Sequence, residues 1–134
     1  MPPSTIGEMV ADKTPHCAAP DDTIRMAYIT MTAKSVGCLP VVNDAGQLVG
    51  MLSERDVIRR SVIVYRPSED TPVSNIMTKD PKWLPPEAEP SQAIEMMMEG
   101  GFRHLPVVDE GKVLGVVSVR DFDIRDHSVV KPPL

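Results

Sequence analysis

Apolar residues at Ile24, Ala27, Tyr28 and Met31 recur at i, i+3, i+4 and i+7, the spacing of one helix face. Thr23 stands before the stripe, where its hydroxyl can accept from a backbone N–H that the first turn leaves without a partner. Further along, Ala93, Ile94 and Met97 mark a second such face. Pro90 takes the first position of that helix, where a missing N–H costs nothing, and Gly100-Gly101 stops it. After each helix the period shortens. Leu39 to Val42 and Leu48 to Leu52 are β-rich runs joined by Asn-Asp-Ala-Gly, and Leu105 to Val108 and Val113 to Val117 are joined by Asp-Glu-Gly. Short connections containing Gly predict hairpins. Each hairpin leads into Ser53-Glu-Arg-Asp56 or Ser118-Val-Arg-Asp121, a Ser with an acid three residues later, which predicts a capped helix start. Short extended pieces are expected around Thr14-Pro15 and Asp80-Pro81.

The two halves are one pattern written twice. "CLPVVNDAGQLVGMLSERD" (38–56) aligns with "HLPVVDEGKVLGVVSVRD" (104–121) with one residue absent. At the same offset Met31 meets Met97, Ala27 meets Ala93, Pro20 meets Pro86 and Pro15 meets Pro81, and "MVADKTP" (9–15) corresponds to "IMTKDP" (76–81). The expected organisation is a first repeat at 1–60, a polar, Pro-bearing linker at 61–72, a second repeat at 73–126 and a tail at 127–134. Each repeat has an apolar sheet face to bury. The expected fold is therefore α/β, two half-domains packed through their sheets with pseudo-twofold symmetry.

Composition narrows the functions. The 134 residues are 42% hydrophobic and 25% charged with net charge −5, enough for a core without staples. No Lys/Arg block forms, which disfavours gripping a phosphate backbone and leaves nucleic acid the weakest partner. Cys17 and Cys38 follow no paired spacing and are expected to be reduced. The N-terminus has no signal-peptide pattern, and no apolar run approaches the ~18 residues of a membrane span, so a cytoplasmic protein is expected.

Two readings of Ser-x-Arg-Asp stay open. Ser53 and Ser118 can cap helices while Asp56 and Asp121 face the positive end of the helix dipole. The same carboxylates can accept two hydrogen bonds from a vicinal diol, as an acid does for ribose in dinucleotide folds. Arg55 and Arg120 beside them meet an anion or face solvent. His16, Cys17, Cys38 and His104 have no metal-ligand spacing, and Cys17 aligns with Trp83, a packing position. No nucleophile, base and orienting group recur together, so no catalytic residue, metal or required cofactor is expected. In Met96-Met97-Met98 only Met97 lies on the core face, leaving its neighbours for a partner surface.

"LPVVNDAGQLVGMLSERD" and "LPVVDEGKVLGVVSVRD", preceded by "TIRMAYITM" and "AIEMMM", resemble the paired CBS domain, or Bateman module, over about residues 6 to 126. The resemblance implies a β-α-β-β-α repeat, dimerisation through helices, and clefts for AMP, ADP, ATP, NAD or S-adenosylmethionine that regulate an attached or separate effector protein. It implies ribose contacts from Ser53, Asp56, Ser118 and Asp121. Each cleft is expected to draw crosswise on both repeats: Ser118 and Asp121 with Thr14, Ala19, Val36 and Gly37 around the base, and Ser53 and Asp56 with Asp80, Pro85, Phe102 and Arg103. Asp80 departs from the hydroxyl residue usual there. Phosphate contacts fall to Arg103 and His104, with Arg55 and Arg120 secondary. The modest positive charge favours AMP or ADP over ATP. A non-catalytic nucleotide sensor is the leading expectation; a ligand-free dimerisation module and an RNA-binding protein are the alternatives.

Overall fold

The computed structural model describes residues 3–62, 65–123 and 128–129. The chain divides into two compact units, His16–Pro81 and Met1–Pro15 with Lys82–Leu134.

In the His16–Pro81 unit, Ala18 bridges Val41 in parallel before helix α2 (Ile24–Lys34) begins. Thr23 caps it, Oγ1 accepting from Met26 N–H at 3.2 Å. Strands β1 (Cys38–Val42) and β2 (Leu48–Ser53) form an antiparallel hairpin. Asn43 shapes its loop, Oδ1 accepting from Ala45 and Gln47 N–H at 3.0 and 2.9 Å. Helix α3 (Glu54–Val57) then widens into a π turn, Ile58–Val62. A 3-10 turn at Val73–Asn75 leads to β3 (Thr78–Lys79), which pairs with β2. The core collects Ile24, Ala27, Met31, Leu39, Val41, Leu52 and Val57, closed by Val73 and Ile76. Tyr28, expected on the buried face, is 48% exposed. It sits at the edge of the stripe, where a phenol keeps its hydroxyl in water.

The other unit repeats the plan with its own N-terminal helix, α1 (Ile6–Val10). Thr5 Oγ1 accepts from Glu8 N–H, and Glu8 Oε2 accepts from Ser4 N–H. Leu84 bridges Val107 in parallel, as Ala18 does Val41. Helix α4 (Pro90–Gly100) has Pro90 first, and Gly101 ends it at φ 69. Strands β4 (His104–Asp109) and β5 (Lys112–Ser118) meet at Glu110-Gly111, both with positive φ. The loop is thus two residues, shorter than the three expected, because a turn with two left-handed residues matches the strand twist and lets Asp109 pair with Lys112. The core holds Ala93, Ile94, Met97, Leu105, Val107, Val117 and Phe122, closed by Ile6 and Val10.

Each core is therefore completed by the stretch preceding the other repeat's Pro15 or Pro81. Val10 aligns with Met77, and each meets the glycine that opens its unit's repeated strand sentence: Gly115 against Val10, Gly50 against Met77.

The copies differ after the second hairpin. Ser118 starts a three-residue 3-10 turn (Val119–Asp121), not the expected helix. Phe122 then turns extended and, in β6 (Phe122–Asp123), pairs with β7 (Ser128–Val129). Phe122 is buried where the first copy has helical Val57; an aromatic of high strand propensity reaches the core from extended backbone. The expected fraying of residues 131–134 falls outside the described residues.

Candidate functional site

The two Ser–Asp corners have the same construction. In the His16–Pro81 unit, Ser53 ends β2; its Oγ accepts from Asp56 N–H at 3.1 Å, and Asp56 Oδ2 accepts from Ser53 N–H at 3.0 Å. In the other unit Asp121 Oδ2 accepts from Ser118 N–H at 2.8 Å, and Ser118 Oγ accepts from Arg120 N–H at 3.3 Å. Each carboxylate thus spends one oxygen on the Ser amide and is held partly buried at a strand end. A carboxylate so fixed is an acceptor whose direction is set before any ligand arrives. The cap reading holds in both copies, and it leaves the second oxygen for other use.

The residues before each first hairpin strand join the corner of their own unit. Gly37 O accepts from Glu54 N–H at 3.0 Å, and Cys38 lies opposite Ser53. Arg103 O accepts from Val119 N–H at 3.0 Å, and His104 lies opposite Ser118. Val36 and Phe102 are half-buried against their respective cores. Ala19 N–H donates to Asp22 Oδ2 at 2.9 Å, which shapes the loop before α2. Asp80, exposed and left-handed at φ 49, follows β3 in the Ser53 unit. Thr14 and Pro85 belong to the Ser118 unit; Thr14 is exposed.

Charge separates the corners. Cys38 is buried and its thiol is pushed up to about 12, first by burial and then by Asp56, so it is an inert packing group. Its counterpart His104 is lowered, first by burial, then by Arg103, with Asp121 opposing and Arg120 adding. Arg103 and Arg120 are exposed and both act on one imidazole, so the Ser118 corner carries a cationic cluster beside its acid. Arg55 is exposed at the Ser53 corner.

A lowered His104 stays neutral in the fold while the unfolded chain takes up a proton first. Its contribution to stability is full above its unfolded pKa, near 6.5, and is lost as pH falls through its folded value. Denaturation midpoints between pH 7.5 and 5.5 are expected to fall more steeply for the unaltered chain than for His104→Gln. Equal slopes would remove His104 as a titrating group of the fold.

Among the described residues no three His, Cys, Asp or Glu side chains gather as a metal site requires, and no helix is long and apolar enough to cross a membrane. Cys17 is half-buried, with its thiol raised by burial. An open groove of about 560 Å³ along α1, lined by Thr5, Glu8, Val10, Lys13, Pro86 and Leu114 among others, contains none of the expected site residues.

One contact escaped the sequence reading. Arg60 Nε lies 4.0 Å from Asp56 Oδ1, and its Nη1 donates to the carbonyls of Ile76 and Met77. The i, i+4 spacing of Asp56 and Arg60 was its only sequence signal.

The family model described as CBS domain matches residues 6–63 and 73–123. The chain is 34% identical over 113 residues to an uncharacterised 17.7 kDa protein of Acidianus ambivalens, covering 84% of this chain and 67% of that one. It is 36% identical over 105 residues to a mitochondrial CBS domain-containing protein of Arabidopsis thaliana, covering 75% of this chain and spanning only about half, 51%, of that one. Among solved structures, a CBS domain protein from Pyrobaculum aerophilum complexed with AMP aligns with TM-score 0.77 and 25% identity, over 87% of this chain and 88% of that one.

Proposed function

This chain belongs to the CBS domain family, carrying a pair of the domains, and on that basis we propose that it is a non-catalytic regulatory module binding an adenine nucleotide at its Ser–Asp corners. The observation that carries the reading is the Ser–Asp capping box in both units, which holds a carboxylate beside the end of a strand. Asp56 and Asp121 accept from the ribose diol beside Ser53 and Ser118. The AMP bound to the Pyrobaculum aerophilum protein supports this ligand class. The base is assigned to the loops carrying Thr14, Ala19, Val36, Gly37, Asp80, Pro85 and Phe102. The phosphate is assigned to Arg103 and His104, with Arg120 and Arg55 secondary. One or two phosphates match that supply of charge better than three, which favours AMP or ADP; NAD and S-adenosylmethionine are the other adenosyl ligands to test.

The output is assigned to a protein partner in the cytoplasm. On α2, Met26 and Ile29 are more than half exposed, at 54% and 56%, and Ile58 is 55% exposed. The matching positions of α4 are Gln92 and Glu95. These two outward apolar positions of α2 are polar in α4, although α4 keeps Met98 59% exposed, and the exposed apolar side chains support dimerisation through helices, or an effector. A ligand acts on such a partner only by binding one conformation better than another.

Melting temperature against AMP, ADP, ATP, NAD and S-adenosylmethionine, with GMP as control, tests the reading. A ligand at 100 times its Kd adds about 2.7 kcal/mol, roughly 10 °C for a chain of this size. A rise with an adenine compound and none with GMP supports a sensor and names its input. A flat panel overturns the reading and leaves a dimerisation module.

A further inference from the structure

Three successive carbonyls, beginning with the last residue of the Val73–Asn75 turn, each accept from an arginine. Asn75 O takes Arg66 Nη1 at 3.0 Å, while Ile76 O and Met77 O share Arg60 Nη1 at 3.2 Å each. Arg60 rises from the π turn that continues α3, and its Nε faces Asp56 Oδ1 at 4.0 Å. The Asp56 side chain is 14% exposed while that of Arg60 is 50% exposed, so the acid end of the contact is the shielded one. The other Asp56 oxygen is already committed to Ser53 N–H. One guanidinium therefore joins the carboxylate of the candidate ribose site to a segment distant in sequence. That segment supplies Ile76 to the core, forms β3, and ends at Pro81, after which the chain enters its other compact unit.

We propose that Arg60 is a positioning residue for Asp56 and couples the state of that carboxylate to the Ile76–Met77 segment. This coupling is the means by which a nucleotide at the Ser53 corner is felt outside it, and to that extent it rests on the proposed function. The physical basis is the planar fork. Nε and Nη1 are held rigidly relative to each other, so the attraction of Asp56 for the Nε edge, an ion-pair contact longer than a hydrogen bond, biases the direction in which Nη1 meets the two carbonyls. A lone exposed ion pair at this distance would contribute little. Here the pair orients two further hydrogen bonds, and the energy of the arrangement lies in that network. Lysine keeps the charge and loses the fork.

Amide hydrogen exchange at Ile76 and Met77, both bonded to Val73 O, reads the coupling directly. Four 134-residue chains are compared: unaltered, Asp56→Asn, Arg60→Lys and the double variant, with Leu52 in β2 as internal control. Asn keeps an acceptor for Ser53 N–H, so the corner stays capped. Asp56→Asn is expected to speed exchange at Ile76 and Met77 about three- to thirtyfold relative to Leu52, inside the range for neighbours in one network. In the Arg60→Lys background the same change is expected to do nothing further. No effect of Asp56→Asn in the unaltered chain, an effect that persists without Arg60, or an equal rise at Leu52 each overturns the proposal. Saturating AMP is expected to slow both amides in the unaltered chain and not in Arg60→Lys. If AMP fails to bind the unaltered chain, the nucleotide reading falls while the four-chain comparison still decides the role of Arg60.

Discussion

Replacing both Asp56 and Asp121 by Asn is expected to erase half or more of the thermal stabilisation that AMP gives the unaltered chain, with only a small change in the ligand-free melting temperature. Asn retains an oxygen for the Ser53 or Ser118 amide, so the turn keeps its cap. It loses the charge and puts an N–H donor where the oxygen left for the diol stood. Hydrogen bonds to a charged group contribute about 1.5–3 kcal/mol each, so losing that character weakens binding about ten- to a hundredfold. At the concentration that was 100 times Kd, a hundredfold weaker site leaves about 0.4 kcal/mol in place of 2.7. A tenfold weaker site leaves about 1.4 kcal/mol, so the expected shift falls from roughly 10 °C to between about 1 and 5 °C. Alanine at both positions adds a cap loss of about 0.5–2 kcal/mol per corner and lowers the ligand-free melting temperature as well. Comparing Asn with Ala by differential scanning fluorimetry thus separates capping from binding. If the Asn variant keeps the full AMP shift, the ribose assignment is wrong and the corners are caps alone.

The same comparison ranks the corners. Asp121→Asn alone tests the one with Arg103, His104 and Arg120 beside it; Asp56→Asn alone tests the one where Cys38 replaces the imidazole. The Ser118 corner is expected to account for the larger part of the nucleotide shift, because Arg103 and Arg120 flank His104 there, while Arg60 at the Ser53 corner is already engaged with Asp56 and two carbonyls.

Much of the scaffold for these corners was legible from local pattern. Thr23, Pro90 and Gly101 sit at the helix ends that capping chemistry assigned to them, and both hairpins form within a residue or two of their β-rich runs. Those signals are local, since each depends on residues within one turn. The partner of α1 is not. Ile6, Met9 and Val10 with Thr5-x-x-Glu8 make a short capped helix that period and capping together could have marked, yet nothing in that period says which repeat it packs on. The helix expected after Ser118 failed for a related reason. The Ser-to-Asp spacing fixes one turn, and the backbone beyond Asp121 is decided by Phe122 reaching the core. At the site, Ser53, Asp56, Ser118 and Asp121 could be read because a cap and a diol acceptor need the same residues at the same spacing. Arg60 could not be read so, because its two carbonyl partners lie 16 and 17 residues away and become neighbours only in the fold.

Gly115→Ala is expected to be among the most destabilising small substitutions in the protein, and Gly50→Ala, its repeat counterpart, markedly milder. A Cβ on Gly115 would lie 2.6 Å from Val10 Cβ and 2.9 Å from its Cγ1. Val10 is 2% exposed and ends α1; its branched side chain has little rotamer freedom, so relief requires the helix itself to shift. Gly7 holds that helix from its other end, since a Cβ there would lie 2.8 Å from Pro86 O. A Cβ on Gly50 instead meets the Met77 thioether, with Met77 Cγ at 2.9 Å and Thr78 O at 3.1 Å. Met77 is half-buried and unbranched and can rotate aside, leaving mainly the tight approach to Thr78 O. Overpacking costs about 1–3 kcal/mol, so Gly115→Ala should fall near the top of that range and Gly50→Ala near the bottom. Urea denaturation midpoints measure both. Val10→Gly combined with Gly115→Ala should recover about 1–2 kcal/mol relative to the sum of the single changes, because glycine removes the Val10 Cβ that the new Cβ meets, whereas alanine at 10 would keep it. If Gly115→Ala costs less than about 0.5 kcal/mol, or if the pair is additive, the close approach of α1 to β5 is not what places a glycine there. The repeated glycine would then need another cause than the segment that closes each core.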